Sequence, residues 1–212
     1  IAMDKEISKK FFRKNKIKTP KSILYTFDRK KLDIIKIVDK KLNFPVVVKP
    51  KNEGSSVNVY ICNKKNIAKT LYSMRQYGEI MIEEFIPGRE IQVAVMGKRK
   101  LGAIELKPKR KFYDYLAKYD VKAKTKHIIP VKMPPKKFNK VLNIALKAHQ
   151  IIGCKGISRS DFKFFKGQFY LLEINTQPGM TKLSLVPEIA AYHGISFINL
   201  LKWILKDAST KR

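Results

Sequence analysis

Asp161, Glu173 and Asn175 are the residues whose types and spacing point most directly to chemistry. They fall in Asp161-Phe162-Lys163-Phe164-Phe165-Lys166-Gly167-Gln168-Phe169-Tyr170-Leu171-Leu172-Glu173-Ile174-Asn175, which runs on into Thr176-Gln177-Pro178-Gly179-Met180. Two apolar, aromatic-rich runs separated by a short glycine-containing turn read as a β-hairpin. Strand side chains alternate, so Glu173 and Asn175 share a face with Phe169 and Leu171, and Tyr170, Leu172 and Ile174 take the other. Oxygen ligands two residues apart on an apolar strand serve stability poorly and a hard cation well. Incidental acids on an exposed sheet face are the alternative that the hairpin alone leaves open.

Asp161 joins the other two only if the turn has the right parity. A two-residue Lys166-Gly167 turn would pair Phe165 with Gln168 and put Asp161 opposite Glu173's face. A three-residue Phe165-Lys166-Gly167 turn pairs Phe164 with Gln168 and gathers all three residues. Glycine as its third residue suits the left-handed backbone of such a loop, so the three-residue form is expected. Two carboxylates about 5 Å apart at an effective dielectric of about 20 repel by roughly 3 kcal/mol, a penalty that Mg²⁺ removes.

A second feature looks like a phosphate grip. Lys49-Pro50-Lys51-Asn52-Glu53-Gly54-Ser55-Ser56 joins a strand at 44–49 to its hairpin partner at 57–62. Small residues let backbone N–H groups approach an anion, hydroxyls add donors, and Lys49 adds a fixed positive charge. The order is not that of a Walker loop, and a strand follows where that motif needs a helix. A plain turn fits the same residues. Further on, Glu83-Glu84-Phe85-Ile86-Pro87-Gly88-Arg89-Glu90 ends an apolar strand at a sharp break. Backbone exposed there suits an adenine edge and a carboxylate suits ribose hydroxyls, although a surface strand end with ordinary charges reads the same way.

The elements that position these residues follow from periodicity. A basic helix is expected over 4 to about 15 with Ile7, Phe11 and Phe12 as its apolar stripe, then a strand at 22–27 and a helix at 31–41. Asn63 is placed to cap a helix across 64–77, and strands follow at 79–85, 90–96 and 101–107. Residues 108–130 show no sustained periodicity and read as a long loop, functional or disordered. Pro134-Pro135 opens a helix closed by Gly153, and after the hairpin come helices near 185–193 and 197–206. A boundary between two subdomains is expected near Pro87-Gly88, giving units 1–86 and 87–212. His127, His149 and His193 suggest nothing catalytic, and Trp203 reads as core.

The 212 residues carry a net charge of +29, and residues 98 to 140 alone hold fifteen Lys or Arg against three acids. A basic footprint is the first sign of a nucleic-acid binder. Here the excess is mostly Lys spread through the chain, so no specific nucleic-acid partner is expected. No apolar run approaches the roughly 18 residues of a membrane span, and no signal peptide opens the chain. Cys62 and Cys154 match no metal or redox spacing, which fits reduced thiols in the cytoplasm. The chain begins Ile1-Ala2-Met3, which fits a piece of a longer protein.

Seven motifs occur in order. They are Phe44-Pro45-x-x-x-Lys49-Pro50; Glu53-Gly54-Ser55-Ser56-Val57; Phe112-Tyr113-Asp114-Tyr115-x-Ala117-Lys118-Tyr119; and Gly153-Cys154-x-Gly156. Arg159-x-Asp161, Leu172-Glu173-x-Asn175-Thr176-x-Pro178-Gly179-Met180-Thr181 and Ser184-Leu185-Val186-Pro187 complete the set. Together they resemble the D-alanine–D-alanine ligases, ATP-grasp enzymes that make the dipeptide for peptidoglycan. The resemblance implies two α+β subdomains gripping ATP between antiparallel sheets, and it covers essentially the whole chain.

By this resemblance Lys5 and Lys49 grip phosphate, Ser55 and Ser56 sit in a flap over it, and Glu83, Phe85 and Ile86 meet adenine. Glu90 meets ribose. Asp161, Glu173 and Asn175 hold two Mg²⁺ ions, with Mn²⁺ as an acceptable replacement and Glu173 between the two. Arg159 and the Gly179 N–H face the tetrahedral intermediate, and Ser184 and Leu185 face the carboxylate of the second D-alanine. Lys118 and Tyr119 belong to the loop at 108–130 that closes over the site, with Tyr119 near Ser55 and favouring dipeptide over depsipeptide. The family's N-terminal domain lies outside the chain, so the chain alone is expected to be inactive, and the full-length enzyme is compatible with a homodimer. Asn58 stands where the family commonly has glycine, and the hairpin turn is short for the family. Two other readings remain open at this point, a different ATP-grasp carboxylate–amine ligase and a basic nucleic-acid-binding protein.

Overall fold

The computed structural model describes residues 1–27, 33–54, 57–107, 125–181 and 184–208. Ser55, Ser56, Lys118 and Tyr119, and residues 108–124 of the expected closing loop, lie outside the described residues. The first layer is a four-stranded antiparallel sheet in the order β1-β4-β2-β3, built from β1 (Ser22–Thr26), β2 (Val46–Pro50), β3 (Tyr60–Cys62) and β4 (Glu79–Glu84). Val46, Val48, Ile80 and Ile82 alternate onto one face and pack against Val38 and Leu42 of α2 (Ile34–Lys41) and its C-cap, and against Ile67 and Leu71 of α3 (Ile67–Ser73).

The second sheet has five antiparallel strands in the order β7-β6-β5-β8-β9. These are β5 (Arg89–Met96), β6 (Arg99–Lys107), β7 (Lys126–Ile128), β8 (Ile157–Phe165) and β9 (Gln168–Asn175). Central strand β5 is covered on both faces, which is why Ile91 to Met96 reads as an almost unbroken apolar run. Ile91, Val93 and Val95 face α4 (Pro135–Ile152), whose Val141, Ala145 and Ala148 lie at helical spacing. Ala94 and Met96 face Val186 and Ile189 of α5 (Leu185–Tyr192) and Leu200 of α6 (Phe197–Asp207). Glu90 and Gln92 start that same face, so one side of β5 runs from a polar cleft into an apolar core.

Four sequence expectations change. Helix α1 (Lys5–Lys14) buries Lys5, Ser8, Lys9 and Phe12, while Ile7 and Phe11 are 43% and 39% exposed. Its inward face is cationic because it meets acids. Asn63 caps only a turn, accepting from the N–H groups of Lys65 and Asn66, and α3 begins at Ile67 and gives way to a 3₁₀ turn at 75–77. The third change is in the short strands: β3 is confined to 60–62, and β7 forms within a stretch read as loop, where it pairs with the end of β6 and places His127 on a strand.

The fourth change concerns the β8–β9 hairpin. Its turn has two residues, not three: Phe165 pairs with Gln168, and Lys166 and Gly167 both adopt left-handed backbone, φ +46° and +75°. Positive φ at both central positions matches the turn that follows the right-handed twist of a hairpin. Parity is restored further along. Phe162 pairs with Leu171 but Asp161 pairs with Glu173, so Leu172 is an extra residue in β9, a β-bulge. Phe169, Leu171 and Ile174 therefore all reach the α4 core, and Glu173 and Asn175 do not share the face of Phe169 and Leu171 as strict alternation requires.

A lysine at φ +46° is held against its preference, and asparagine visits that region readily. Lys166→Asn, which creates the favoured Asn-Gly pair, is expected to raise stability by roughly 1 kcal/mol, read as a higher urea midpoint with an unchanged slope.

Candidate active site

The site is a cleft between the two sheets, enclosing about 770 Å³ together with its open mouth. Lys5, Lys49 and Glu83 line it from one side, Glu90, Asp161, Lys163 and Glu173 from the other, and Phe85 and Ile86 lie where the chain passes between sheets.

Helix α1 is fixed with its start at the cleft. Asp4 caps it, accepting from the N–H groups of Glu6 and Ile7 at 2.9 Å each, and also meets Lys51 at 3.1 Å. Lys51 in turn binds Glu79 at 2.6 Å, and the Lys5 N–H donates to the Lys51 carbonyl at 3.3 Å. Hydrogen bonds donated to Glu79 and then Asp4 raise the Lys51 pKa. With its start tied to the end of β2, α1 sends Lys5 and Lys9, four residues apart and so on one face, inward.

Lys5 Nζ donates to the Glu53 carbonyl and stands 4.0 Å from Glu173 Oε2. Burial lowers its pKa, an effect that Glu173 opposes. Lys9 Nζ lies 2.7 Å and Lys49 Nζ 2.9 Å from the same oxygen, Glu83 Oε1. Glu83 faces Val47 across the β2–β4 pair, so it and Lys49 share the sheet face that α1 covers. Burial pushes the Glu83 carboxyl up, but Lys49 and Lys9 outweigh burial and hold it below the ordinary value.

On the opposite wall, the bulge at Leu172 aligns Arg159 with Asn175 and Asp161 with Glu173. Arg159 grips Asp161 bidentately at 2.8 and 3.0 Å. Asn175 Oδ1 accepts from the Gln177 N–H at 2.9 Å, which starts the turn that leads to Gly179. Two carboxylates and an amide on one face form an all-oxygen donor set that fits a hard cation keeping water and phosphate ligands. Among the described residues no group of three His, Cys, Asp or Glu side chains is placed to hold a metal ion by itself. Glu90 pairs with Lys163 at 2.9 Å and accepts from Gln92 at 3.2 Å.

Of the expected substrate groups, Arg159 stands beside Asp161, and Gly179, Ser184 and Leu185 follow β9 in the chain. Ser184 Oγ accepts from the Thr181 N–H at 3.0 Å and shares a 2.9 Å hydrogen bond with Thr181 Oγ1. A Cβ on Gly179 would stand 2.9 Å from that same oxygen, so Ser184 packs closely against a residue without a side chain. The Leu185 side chain is buried in the core, so only its backbone at the first turn of α5 is available. Asn58 adopts φ +52°, a left-handed conformation that accounts for glycine at this position in the family, and its amide bonds to Tyr77 and Tyr60.

Two residues of the site escape the sequence reading, Lys163 in the cleft and Lys9 against Glu83. Lys163 was legible, since Arg159, Asp161 and Lys163 alternate along one strand face. Lys9 was not, because a lysine in a basic helix reads as solvated.

The sequence profile described as the D-ala D-ala ligase C-terminus matches residues 18–206. The chain belongs to that family. The D-alanine–D-alanine ligase of Pelagibacter ubique is 68% identical over all of this chain and 70% of its own length. That of Wolbachia pipientis wMel is 43% identical over 98% of this chain and 66% of its own. Among solved structures, the Bacillus anthracis ligase superposes with a TM-score of 0.86 at 35% identity, covering 98% of this chain and 67% of that one. The same organism's ligase complexed with ATP gives 0.83 at 30% identity, covering 98% and 66%. The chain thus spans about two thirds of the length of these ligases. Its two antiparallel sheets flanking a cleft are the ATP-grasp fold of the family.

Glu83→Gln leaves two buried ammonium groups without a counter-charge, and a loss of about 3–5 kcal/mol in urea unfolding is expected at neutral pH. The unfolded chain protonates this carboxyl near 4.5 and the folded chain only at lower pH. The wild-type advantage over Glu83→Gln is therefore complete above about 4.5 and shrinks as pH falls through the folded value. Urea midpoints of both proteins across that range check the convergence.

Proposed function

We propose that this chain is the nucleotide- and metal-handling part of a D-alanine–D-alanine ligase, which joins two D-alanines with ATP to supply the cytoplasmic dipeptide precursor of peptidoglycan. The observation that carries this reading is the two-walled cleft. Buried lysines Lys5 and Lys49 stand on one side, and Asp161, Glu173 and Asn175 on the other, brought onto one face by the bulge at Leu172.

Lys5 and Lys49 bind the phosphates of ATP, and Glu83, Phe85 and Ile86 meet the adenine at the end of β4. Glu90, already held by Lys163 and Gln92, receives the ribose hydroxyls. Asp161, Glu173 and Asn175 would hold Mg²⁺, which supplies charge neutralisation at the phosphate oxygens when bound. The carboxylate of one D-alanine attacks the γ-phosphorus, giving an acyl phosphate and ADP. The amine of the second attacks the acyl carbon, loses a proton, and phosphate leaves. Such transfers need positioned charge more than covalent help, which suits a cleft of fixed lysines. Arg159 and the Gly179 N–H meet the oxyanion of the second step, and loss of such a donor costs about 2.7–4 kcal/mol in activation energy. Ser184 and the Leu185 backbone hold the second D-alanine's carboxylate. Ser55, Ser56, Lys118 and Tyr119 are assigned on family pattern alone, to closure over the phosphates.

The units 1–86 and 87–212 are part of this reading. The passage from first to second sheet between Glu84 and Arg89 supports them, with α1 packing across onto the second.

Calorimetric titration of the chain with ATP is expected to give binding that requires Mg²⁺. Asp161→Ala and Glu173→Ala should each weaken it by more than the roughly 10–100-fold typical of outer-shell changes. D-alanine-dependent phosphate release is expected only when the N-terminal third of a related ligase is added. Binding indifferent to both alanine variants would overturn the metal assignment.

A further inference from the structure

Lys9 is 0% exposed, in the middle of a strongly basic helix, and its Nζ stands 2.7 Å from Glu83 Oε1. A buried ion pair is a poor way to gain stability, since burying both charges offsets much of their attraction and an apolar pair of the same volume does as well or better. Its presence asks for another purpose. Lys49 already neutralises Glu83 from 2.9 Å, so by simple charge count Lys9 is surplus.

The difference between the two lysines lies in what else they reach. Lys49 lines the cleft, where a bound phosphate competes with Glu83 for it; Lys9 does not line the cleft. Its partner among the described residues is Glu83 alone. When Lys49 turns to phosphate, Lys9 remains as the counter-ion that keeps a 2%-exposed carboxylate charged. Both ammonium groups converge on Oε1, and no described residue takes Oε2. Glu83 itself lines the cleft beside Phe85 and Ile86.

We propose that Lys9 is a positioning residue for nucleobase selection: by fixing Glu83 through Oε1 as an ionised acceptor, it sets Oε2 to receive the exocyclic amine of adenine and to repel a 6-oxo purine. The chemistry is one of hydrogen-bond polarity. A carboxylate only accepts, an exocyclic amine donates, and a 6-oxo group presents an acceptor facing an acceptor. A neutral, protonated Glu83 could donate to the oxo group, and the discrimination would shrink. Burial brings the Lys9 pKa down to about 8, with Glu83 opposing the fall, so the ammonium persists at neutral pH. This inference rests on the nucleotide reading of the cleft.

The test compares binding of Mg·ATP and Mg·ITP to the 212-residue chain, unaltered and as Lys9→Met and Lys9→Arg. The unaltered chain prefers ATP. Lys9→Met is expected to reduce the ATP-to-ITP affinity ratio by at least about tenfold, and Lys9→Arg to keep most of it. A merely structural role weakens both nucleotides alike and leaves the ratio unchanged, which overturns the proposal. Should Lys9→Met fail to fold by circular dichroism, the double variant Lys9→Met/Glu83→Gln removes both buried charges, and a wild-type ratio there overturns the proposal equally. An unaltered chain that binds neither nucleotide refutes the nucleotide reading itself, and this inference falls with it; ATP binding with an unmoved ratio refutes this inference alone.

Discussion

An edge strand that must deliver apolar side chains to a core along its whole length, and carboxylate and amide oxygens to the opposite face near its end, cannot do both by strict alternation. Strand β9 meets the demand with one additional residue, Leu172. Before it, Phe169 and Leu171 point at α4; after it, Ile174 does. Glu173 and Asn175 are thereby freed to stand beside Asp161 and Arg159. Placement of the acids and continuity of the core come from one local irregularity, and the strand tolerates it because β9 is last in its sheet and pairs with a neighbouring strand on one side only. Its outer edge is still attended to, since the Leu171 N–H donates to the Lys18 carbonyl at 2.9 Å.

Facing those acids is a concentration of positive charge that is built, not accidental. The chain carries +29, and charges at an exposed surface are screened by water and salt. Lys5, Lys9 and Lys49 differ in being withdrawn from solvent and set against Glu53, Glu83 and Glu173 by helix, strand and cap. Low local dielectric makes each of these contacts stronger than its surface counterpart. A cationic wall and an anionic wall held apart by a cleft form a natural seat for a metal-bound polyphosphate, whose own charges alternate in the same sense.

Much of this was legible in the residues. The apolar run of β5 and the helical spacing in α4 gave these elements close to their observed bounds, and Gly153 ended α4 in left-handed backbone as a glycine there should. The grouping of Asp161, Glu173 and Asn175 was right, but the route to it was not: a bulge depends on which side chains fit the α4 core, and local turn chemistry carries no record of that. For α1 the error had the same origin. Ile7 and Phe11 look like a buried stripe on hydropathy alone, whereas the helix is oriented by Asp4 and Lys51 and by the acids its lysines meet. Tertiary electrostatics overrode the local pattern. Strand β7 is three residues long, and its pairing with β6 is a long-range fact without a local signature.

The position of α1 has a mechanical consequence. Phe12 and Ile17 lie in the core of the second sheet, yet the chain then enters the first sheet at β1 and returns through Phe85–Gly88. The two sheets are therefore joined by two adjacent covalent crossings and not by one. At the second, Gly88 sits so close to the Phe164 carbonyl that a Cβ would approach within 2.4 Å. A single tether leaves two bodies free to twist and swing; two tethers side by side suppress the twist and leave one rotation, about the line joining them. The cleft is in this sense a jaw with a defined axis, and the Lys9–Glu83 and Lys49–Glu83 contacts lie near that axis, where opening displaces them least.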